Sequence, residues 1–199
     1  MSDHPHSDTR EKILRVALRL FADRGYPDTS MEEIAKQVGI SKPAIYHHFS
    51  GKEELFRTLL DDARRQHEEM IAELRSRRLN LFDLVEEAIR AGINLVRQNN
   101  DWVRLMIRFT AYPQEISEIA DFKELECAVH DAELGLLEEA MGDRRLRPGL
   151  TMRDFVFFYH GAVFTFMARA LLTGEEIDER EAPARLRDLI LFGGFGGHA

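Results

Sequence analysis

The segment Met31 to Phe49, MEEIAKQVGISKPAIYHHF, constrains this chain more than any other. Ala35, Gly39 and Ile45 stand four and then six positions apart. A small residue at Ala35 lets a second helix cross close behind the first. Glycine at Gly39 takes the positive φ that a tight turn demands. Ile45 returns to a core shared with Ile34, Val38 and Ile40. Ser30 followed by Glu33 has the spacing of a capping box, with each residue expected to satisfy an amide of the other. Ser41 reads as an N-cap, which puts Lys42 at N1 and Pro43 at N2, where a missing N–H leaves no helical bond unmade. Upstream, Ile13, Val16, Ala17, Leu20 and Phe21 repeat at helical spacing from Thr9 to Arg24, and Gly25 stops that helix. Downstream, Ser50 to Glu53 reads as a second capping box opening a long helix. The pattern predicts a helix-turn-helix whose second helix keeps its N-terminal end open.

Beyond this segment helical spacing dominates and strand alternation is absent, so the fold class is all-α with about nine helices. The long helix carries the stripe Leu55, Phe56, Leu59, Leu60, Ala63, His67, Met70, Ile71 and Leu74. Further helices are expected over Leu81–Gln98 (including Leu95 and Val96), Asp101–Phe109, Asp121–Met141, Thr151–Thr173 and from Pro183 onward. Pro113, the Arg147–Gly149 turn, Gly174 and the charged loop Glu175–Glu181 punctuate them, and the chain from Gly193 is expected to fray. The domains expected are a head at 9–52 and a regulatory and dimerisation body at 53–195. Their boundary lies within the long helix, so head and body are mechanically joined.

Charge sharpens this division. Residues 1–52 hold eight Lys and Arg against seven Asp and Glu, whereas the whole chain has a formal net charge of −8. Gln37 to Lys52 contains two lysines, two histidines and no acid. A basic tip on an acidic body suits a protein that meets DNA with one end. With 44% apolar residues the chain can fill a core, and its 31% charged residues favour a globular solution fold. A single cysteine, Cys127, forms neither an internal disulfide nor a zinc cage; on its helix it reads as a buried small hydrophobe in a reducing cytoplasm. The polar start, Met1 to Asp8, lacks the apolar stretch of a signal peptide. The uncharged run Phe155 to Ala168 is shorter than the roughly 20 residues a membrane crossing needs, so no membrane partner is expected. No histidine pair has metal-binding helical spacing, and His4 and His6 fall in a loose tail, so no metal and no cofactor are expected. The chain has no glycine-rich phosphate loop and no nucleophile elbow, which argues against an enzyme. The rival reading is a DNA-binding module controlled by a partner protein, which would lack a body cavity.

The residues expected to meet DNA are Ser41, Lys42, Pro43, Ala44, Tyr46 and His47, with Thr29 and Lys52 flanking them. Lysine supplies charge for phosphate or guanine, Pro43 and Ala44 offer apolar contact to a thymine methyl, and Tyr46 and His47 can donate to phosphate. Thr29 and Lys52 stand where helix N-termini can also meet phosphate. Residues 9–56, through ILRVALRLFADRGYPDTSMEEIAKQVGIS and KPAIYHHFSGKEELF, resemble the DNA-binding region of the tetracycline-repressor (TetR) family. Pro43 replaces a glycine common there and stiffens the helix start. The resemblance implies nine or so helices, three of them in the head, and a dimeric ligand-binding body. It therefore implies a transcriptional regulator that meets double-stranded DNA with a near-palindromic operator and answers a small-molecule effector.

Two body features complete the expectation. Trp102, Met106, Phe109, Tyr112, Phe122, Phe158 and Tyr159 are candidates to line a pocket for an apolar or aromatic molecule, with His130, His160 or Tyr159 as orienting polar groups. The helix Thr151–Thr173 is apolar nearly all round, with charges only at Arg153, Asp154 and Arg169, so it has to be buried on two sides. One side packs on its own body. The other, with Phe155, Ala162 and Phe166, joins Leu186, Leu189 and Ile190 of the last helix in a self-complementary homodimer interface.

Overall fold

The computed structural model describes residues 4–98, 100–115 and 120–192; for 4–7, 95, 96, 113, 120–123, 125 and 126 it describes the backbone alone. Phe122, Leu95 and Val96, and the stretch from Gly193, therefore lie outside the described side chains. Among the described residues there are nine α-helices and no strand. They are α1 (His4–Arg24), α2 (Met31–Val38), α3 (Lys42–His48), α4 (Lys52–Ser76), α5 (Leu81–Gln98), α6 (Asn100–Ala111), α7 (Ala120–Met141), α8 (Met152–Thr173) and α9 (Ala182–Phe192). A single 3-10 turn, Pro113–Glu115, follows α6. Helix α1 reaches back to His4, so the segment expected as a loose tail is helical there.

The chain divides into two compact units. The first is Met1–Arg65 with Asp101–Leu125, and the second is Gln66–Asn100 with Glu126–Ala199. The first is built around Ile13, Ala17, Phe21, Ile34, Ala35, Ile45, Phe49, Leu55 and Phe56, all nearly inaccessible to solvent. Phe56 is its aromatic hub, with ring centroids 5.4 Å from Phe21, 5.0 Å from Tyr26 and 6.0 Å from Phe109, each edge-on. Leu105 and Phe109 of α6 are fully part of this core, and Trp102 and Met106 pack on it. Helix α6 returns to the head because its stripe Trp102, Leu105, Met106, Phe109 is apolar at i, i+3, i+4 and i+7. Its charged side meets α1, where Arg104 bonds Asp23 at 2.5 Å.

The second unit is centred on Ile71, Leu74, Leu84, Val85, Ile89, Ile93, Leu136, Leu137, Val156, Tyr159, Val163 and Leu186. Helix α8 starts with a full capping box between Thr151 and Asp154 and ends on Gly174 at φ 69°. Only Val156, Tyr159 and Val163 of α8 are buried. At 22 residues α8 is long and apolar enough to cross a membrane by length and composition, which corrects the expectation drawn from its uncharged run. The buried side packs on α5 and α9. Its open side overlaps the expected one: Ala162 and Phe166 line, with Leu186, the groove that runs along it. Phe155 and Phe166 pack partly on the core, whereas Phe157 is 75% and Phe158 58% exposed. Cys127 is exposed on α7, not buried as its small apolar side chain suggested.

Candidate functional site

The head presents one short helix outward, and local chemistry fixes it. Ser41 Oγ accepts from the amide of Ala44 at 3.3 Å, and Pro43 sits in the first turn as expected. Ile45 is fully buried and ties α3 to Ile34, Ala35 and Val38 of α2. Gly39 has φ 83°, and the amides of Gly39 and Ile40 both donate to Ala35 O at 3.0 Å, closing α2 in a left-handed cap. Ser30 Oγ accepts from the amide of Glu33 at 3.2 Å. The reciprocal half of that capping box is replaced, because the Glu33 carboxylate pairs with Arg24 instead. The second expected box shifts by one residue: the amide and hydroxyl of Ser50 both donate to Glu54 at 2.6 Å, and α4 begins at Lys52. These two bonds hold the Glu54 carboxyl below its ordinary range.

With this frame in place, Ser41, Lys42, Pro43, Tyr46 and His47 form one exposed surface, and Ala44 is half-buried beside it. Lys42 Nζ stands 3.2 Å from Glu32 of α2, an exposed pair that solvent weakens and a phosphate can displace. Two expected contacts are placed elsewhere. Thr29 is 2% exposed, and its hydroxyl donates to Gly25 O at 2.8 Å. Lys52 Nζ donates to Tyr26 O at 2.7 Å and Pro27 O at 3.2 Å, and lies 4.4 Å from the centroid of the Tyr26 ring. Burial lowers the Lys52 pKa, with Asp28 opposing. Both side chains satisfy carbonyls of the α1–α2 corner, a demand that spacing alone does not reveal.

The candidate pocket residues separate as well. Trp102, Met106 and Phe109 belong to the core of the first unit. Tyr112 is 48% exposed, with the Arg108 guanidinium 5.2 Å from its ring centroid. Phe158, Tyr159 and His130 belong to the second unit. There sequence reading named His130, His160 and Tyr159 but missed the carboxylate beside them. Glu133 of α7 is bonded by His67 Nε2 of α4 at 3.0 Å and paired with His160 Nε2 of α8. His160 Nδ1 in turn contacts His130 Nε2 at 3.2 Å. Burial, the largest single influence, pushes the Glu133 carboxyl up, but the bonds and charges of His160 and His67 outweigh it and hold it at about 2. Burial, and then the Glu133 charge, push the Tyr159 phenol far up, so it stays neutral. The signal was present in the sequence: Glu133 lies in the stripe Val129, Leu136, Leu137, Ala140, and His67 in that of α4. Among the described residues no group of histidines, cysteines and carboxylates is arranged to hold a metal.

Residues 13–59 match the model of bacterial regulatory proteins of the tetR family. The chain is also 34% identical over 148 residues to the HTH-type transcriptional repressor KstR2 of Rhodococcus jostii, covering 66% of this chain and 71% of that protein. This chain belongs to the tetR family. It is therefore a DNA-binding transcriptional regulator. Other tetR-family likenesses extend along the chain. The transcriptional activator FasR of Mycolicibacterium smegmatis is 29% identical over 141 residues, covering 69% of this chain and 63% of its own. The fold matches that of FadR from Bacillus subtilis in complex with stearoyl-CoA, with a TM-score of 0.72 at 18% identity over 93% of this chain and 99% of that one.

Proposed function

We propose that this tetR-family chain is a ligand-responsive repressor that works in the cytoplasm as a homodimer on a near-palindromic operator. It leaves that DNA when a small apolar or aromatic molecule binds its body. Residues 9–52 read the DNA, and 53–195 carry regulation and pairing. The observation that carries the reading is the open face of α3, held rigid by the Ser41 cap and by buried Ile45. Its N-terminal end enters the major groove, with Lys42 on phosphate or a guanine edge, Pro43 and Ala44 beside a thymine methyl, and Tyr46 and His47 donating to phosphate. Thr29 and Lys52 act one step back, by holding the corner from which α2 starts.

Pairing uses the open side of α8. Phe157 and Phe158, with the expected Ala162 and Phe166, border a groove of ≈ 640 Å³ that reaches Leu186 of α9. Leu189 extends the apolar surface, 46% exposed. A second copy of the same surface covers it across a two-fold axis and sets two heads on two half-sites. The relative KstR2 is a repressor, which favours repression here, and a neighbour of the same fold holds an acyl thioester with a long apolar chain, which favours an apolar effector.

The test is a footprint of the full chain on the DNA flanking its own coding region. A protected near-palindrome is expected. Lys42→Ala should lower the salt slope of binding by about 0.9, one phosphate's share, and the alanine triple of Lys42, Tyr46 and His47 should abolish protection. A triple variant that binds as tightly as the parent overturns the assignment of α3. For the pairing, Phe157→Glu with Leu189→Glu should give monomers by light scattering, with helical content unchanged; a dimer that survives both charges assigns the interface elsewhere.

A further inference from the structure

Two acids open α2, and they face different ways. The Glu33 carboxylate turns back to Arg24 of α1. The Glu32 carboxylate turns forward to α3, where its Oε2 stands 3.2 Å from Lys42 Nζ, and both side chains stay largely open to solvent. Folding does not require this second arrangement. An acid in a first turn suits the helix dipole, and Glu33 already fills that place. An exposed ion pair adds little to stability. Yet Glu32 sets a negative charge at the edge of the surface formed by Ser41, Lys42, Pro43, Tyr46 and His47. The sequence from Gln37 to Lys52 has no acid, so Glu32 brings to that surface a charge that α3 itself lacks.

Against DNA this charge acts differently on the two kinds of partner open to Lys42. On a phosphate, Lys42 either carries Glu32 with it or leaves it unpaired, and in both cases a carboxylate meets the phosphate chain and is repelled. On a base edge the pair need not part. Guanine offers O6 and N7 as acceptors for a lysine, and its cytosine partner offers the N4 amino group as a donor for a carboxylate. O6 and N4 share a Watson–Crick hydrogen bond, so they lie about 2.9 Å apart. That is close to the 3.2 Å between Lys42 Nζ and Glu32 Oε2. The protein thus sets donor beside acceptor at the spacing at which a G·C edge sets acceptor beside donor. Other edges fit less well. An A·T pair places its donor between two acceptors, which leaves the lysine a single one, and the thymine methyl crowds O4. A reversed pair sets donor against donor and acceptor against acceptor.

We infer that Glu32 and Lys42 read one G·C base pair of the operator as a unit, Lys42 on the guanine and Glu32 on its cytosine. Glu32 is thereby a specificity-determining residue that α2 adds to those of α3. The inference rests on the reading of α3 as the helix that enters the major groove, and within that reading it gives Lys42 the guanine edge. The charge of Lys42 counts in the salt slope on either contact, so the response base by base is what separates them.

The experiment offers the full chain a pool of random-sequence duplexes, sequences what it retains, and repeats the selection with Glu32→Ala and with Lys42→Ala. Both side chains are exposed, so neither change opens the core. The parent should select a site with a G·C pair whose replacement by any other pair weakens binding about tenfold. Each variant should cut that penalty to under about threefold while keeping the preferences at the remaining positions. The double variant should discriminate there no less than either single one, because the two side chains act as a unit. If Lys42→Ala relaxes a position and Glu32→Ala relaxes none, or a different one, the pairing is overturned and the reading of α3 stands. A uniform gain in affinity for every duplex on removing Glu32 overturns it equally, because the carboxylate then only repels phosphate. If neither variant relaxes any position the inference falls, and the alanine triple of Lys42, Tyr46 and His47 on the same pool settles the rest: a selection identical to the parent's removes the reading of α3 as well.

Discussion

The two units solve the problem of an all-helical core in opposite ways. The first closes on itself with aromatic edges around Phe56, and its polar groups serve as caps and corner ties. The second buries a charged Glu133 among three imidazoles and leaves much of its most apolar helix uncovered. A unit whose task is to hold a short helix in fixed register gains from a dry core with one packing. A unit with a buried ionic cluster and an open apolar face keeps groups whose state depends on solution and on what covers them.

The contrast predicts a graded set of effects. The largest belongs to the head: Phe56→Ala removes the hub of the aromatic core and should cost about 3–5 kcal/mol in urea unfolding. A loss under 1 kcal/mol would mean that the ring's three neighbours close over the gap, and that the dry-core description is too strong. Next comes the acid response of Glu133. Its carboxyl is held at about 2 against 4.5 for the free group, so its contribution is complete above pH 4.5 and lost as pH falls towards 2. Shifted by that much, it should supply about 3 kcal/mol of the fall in stability over that interval. Glu133→Gln should flatten the fall; an unchanged acid profile would show that the histidines do not hold the charge.

Two glycines then sharpen the comparison within the head. Gly39 at φ 83° has open space around it, so Gly39→Ala should cost only the left-handed backbone penalty, about 1–2 kcal/mol. Gly25 at φ 95° is crowded as well: a Cβ there would come within 2.5–2.7 Å of the Arg108 guanidinium and the Glu115 carboxylate. Gly25→Ala should therefore destabilise more than Gly39→Ala under the same denaturant series, and equal costs would mean that the Arg108–Glu115 pair swings aside freely. The smallest effect on folding belongs to the open face of α8. Phe157→Ala should change the stability of a monomer by under about 0.5 kcal/mol while weakening self-association on light scattering. A large loss of stability with no loss of association would make Phe157 a core residue.

The head was legible because its signals are local. Ser30, Gly39, Ser41 and Pro43 each act within four residues of themselves, so position in the chain reveals their work. The apolar stripes gave all nine helices for the same reason, with ends displaced mainly where a cap moved, as from Glu53 to Glu54. What eluded reading depends on residues far apart. Thr29 and Lys52 look like free polar groups until the α1–α2 corner shows three carbonyls needing donors. Trp102 and Phe109 look like pocket walls until α6 is seen to complete the head. Glu133 and His67 are separated by 66 positions, and only their intrusion into apolar stripes hinted that they meet. The expected and observed open faces of α8 share Ala162 and Phe166 but are turned relative to each other, because a helix apolar all round has no polar side by which to set its rotation.

The return of α6 to the first unit also governs how this molecule can be taken apart. A fragment ending at Arg65 would contain every turn of the helix-turn-helix yet lack Leu105 and Phe109, which fill the core from the far side of a 35-residue excursion through the second unit. Such a fragment would present Phe56 to water. A chimera meant to transplant this reading head onto another body has to carry Asp101–Ala111 with it, two strips of sequence grafted as one piece, and a protease cut between α5 and α6 would leave a head still held by packing though no longer by chain continuity.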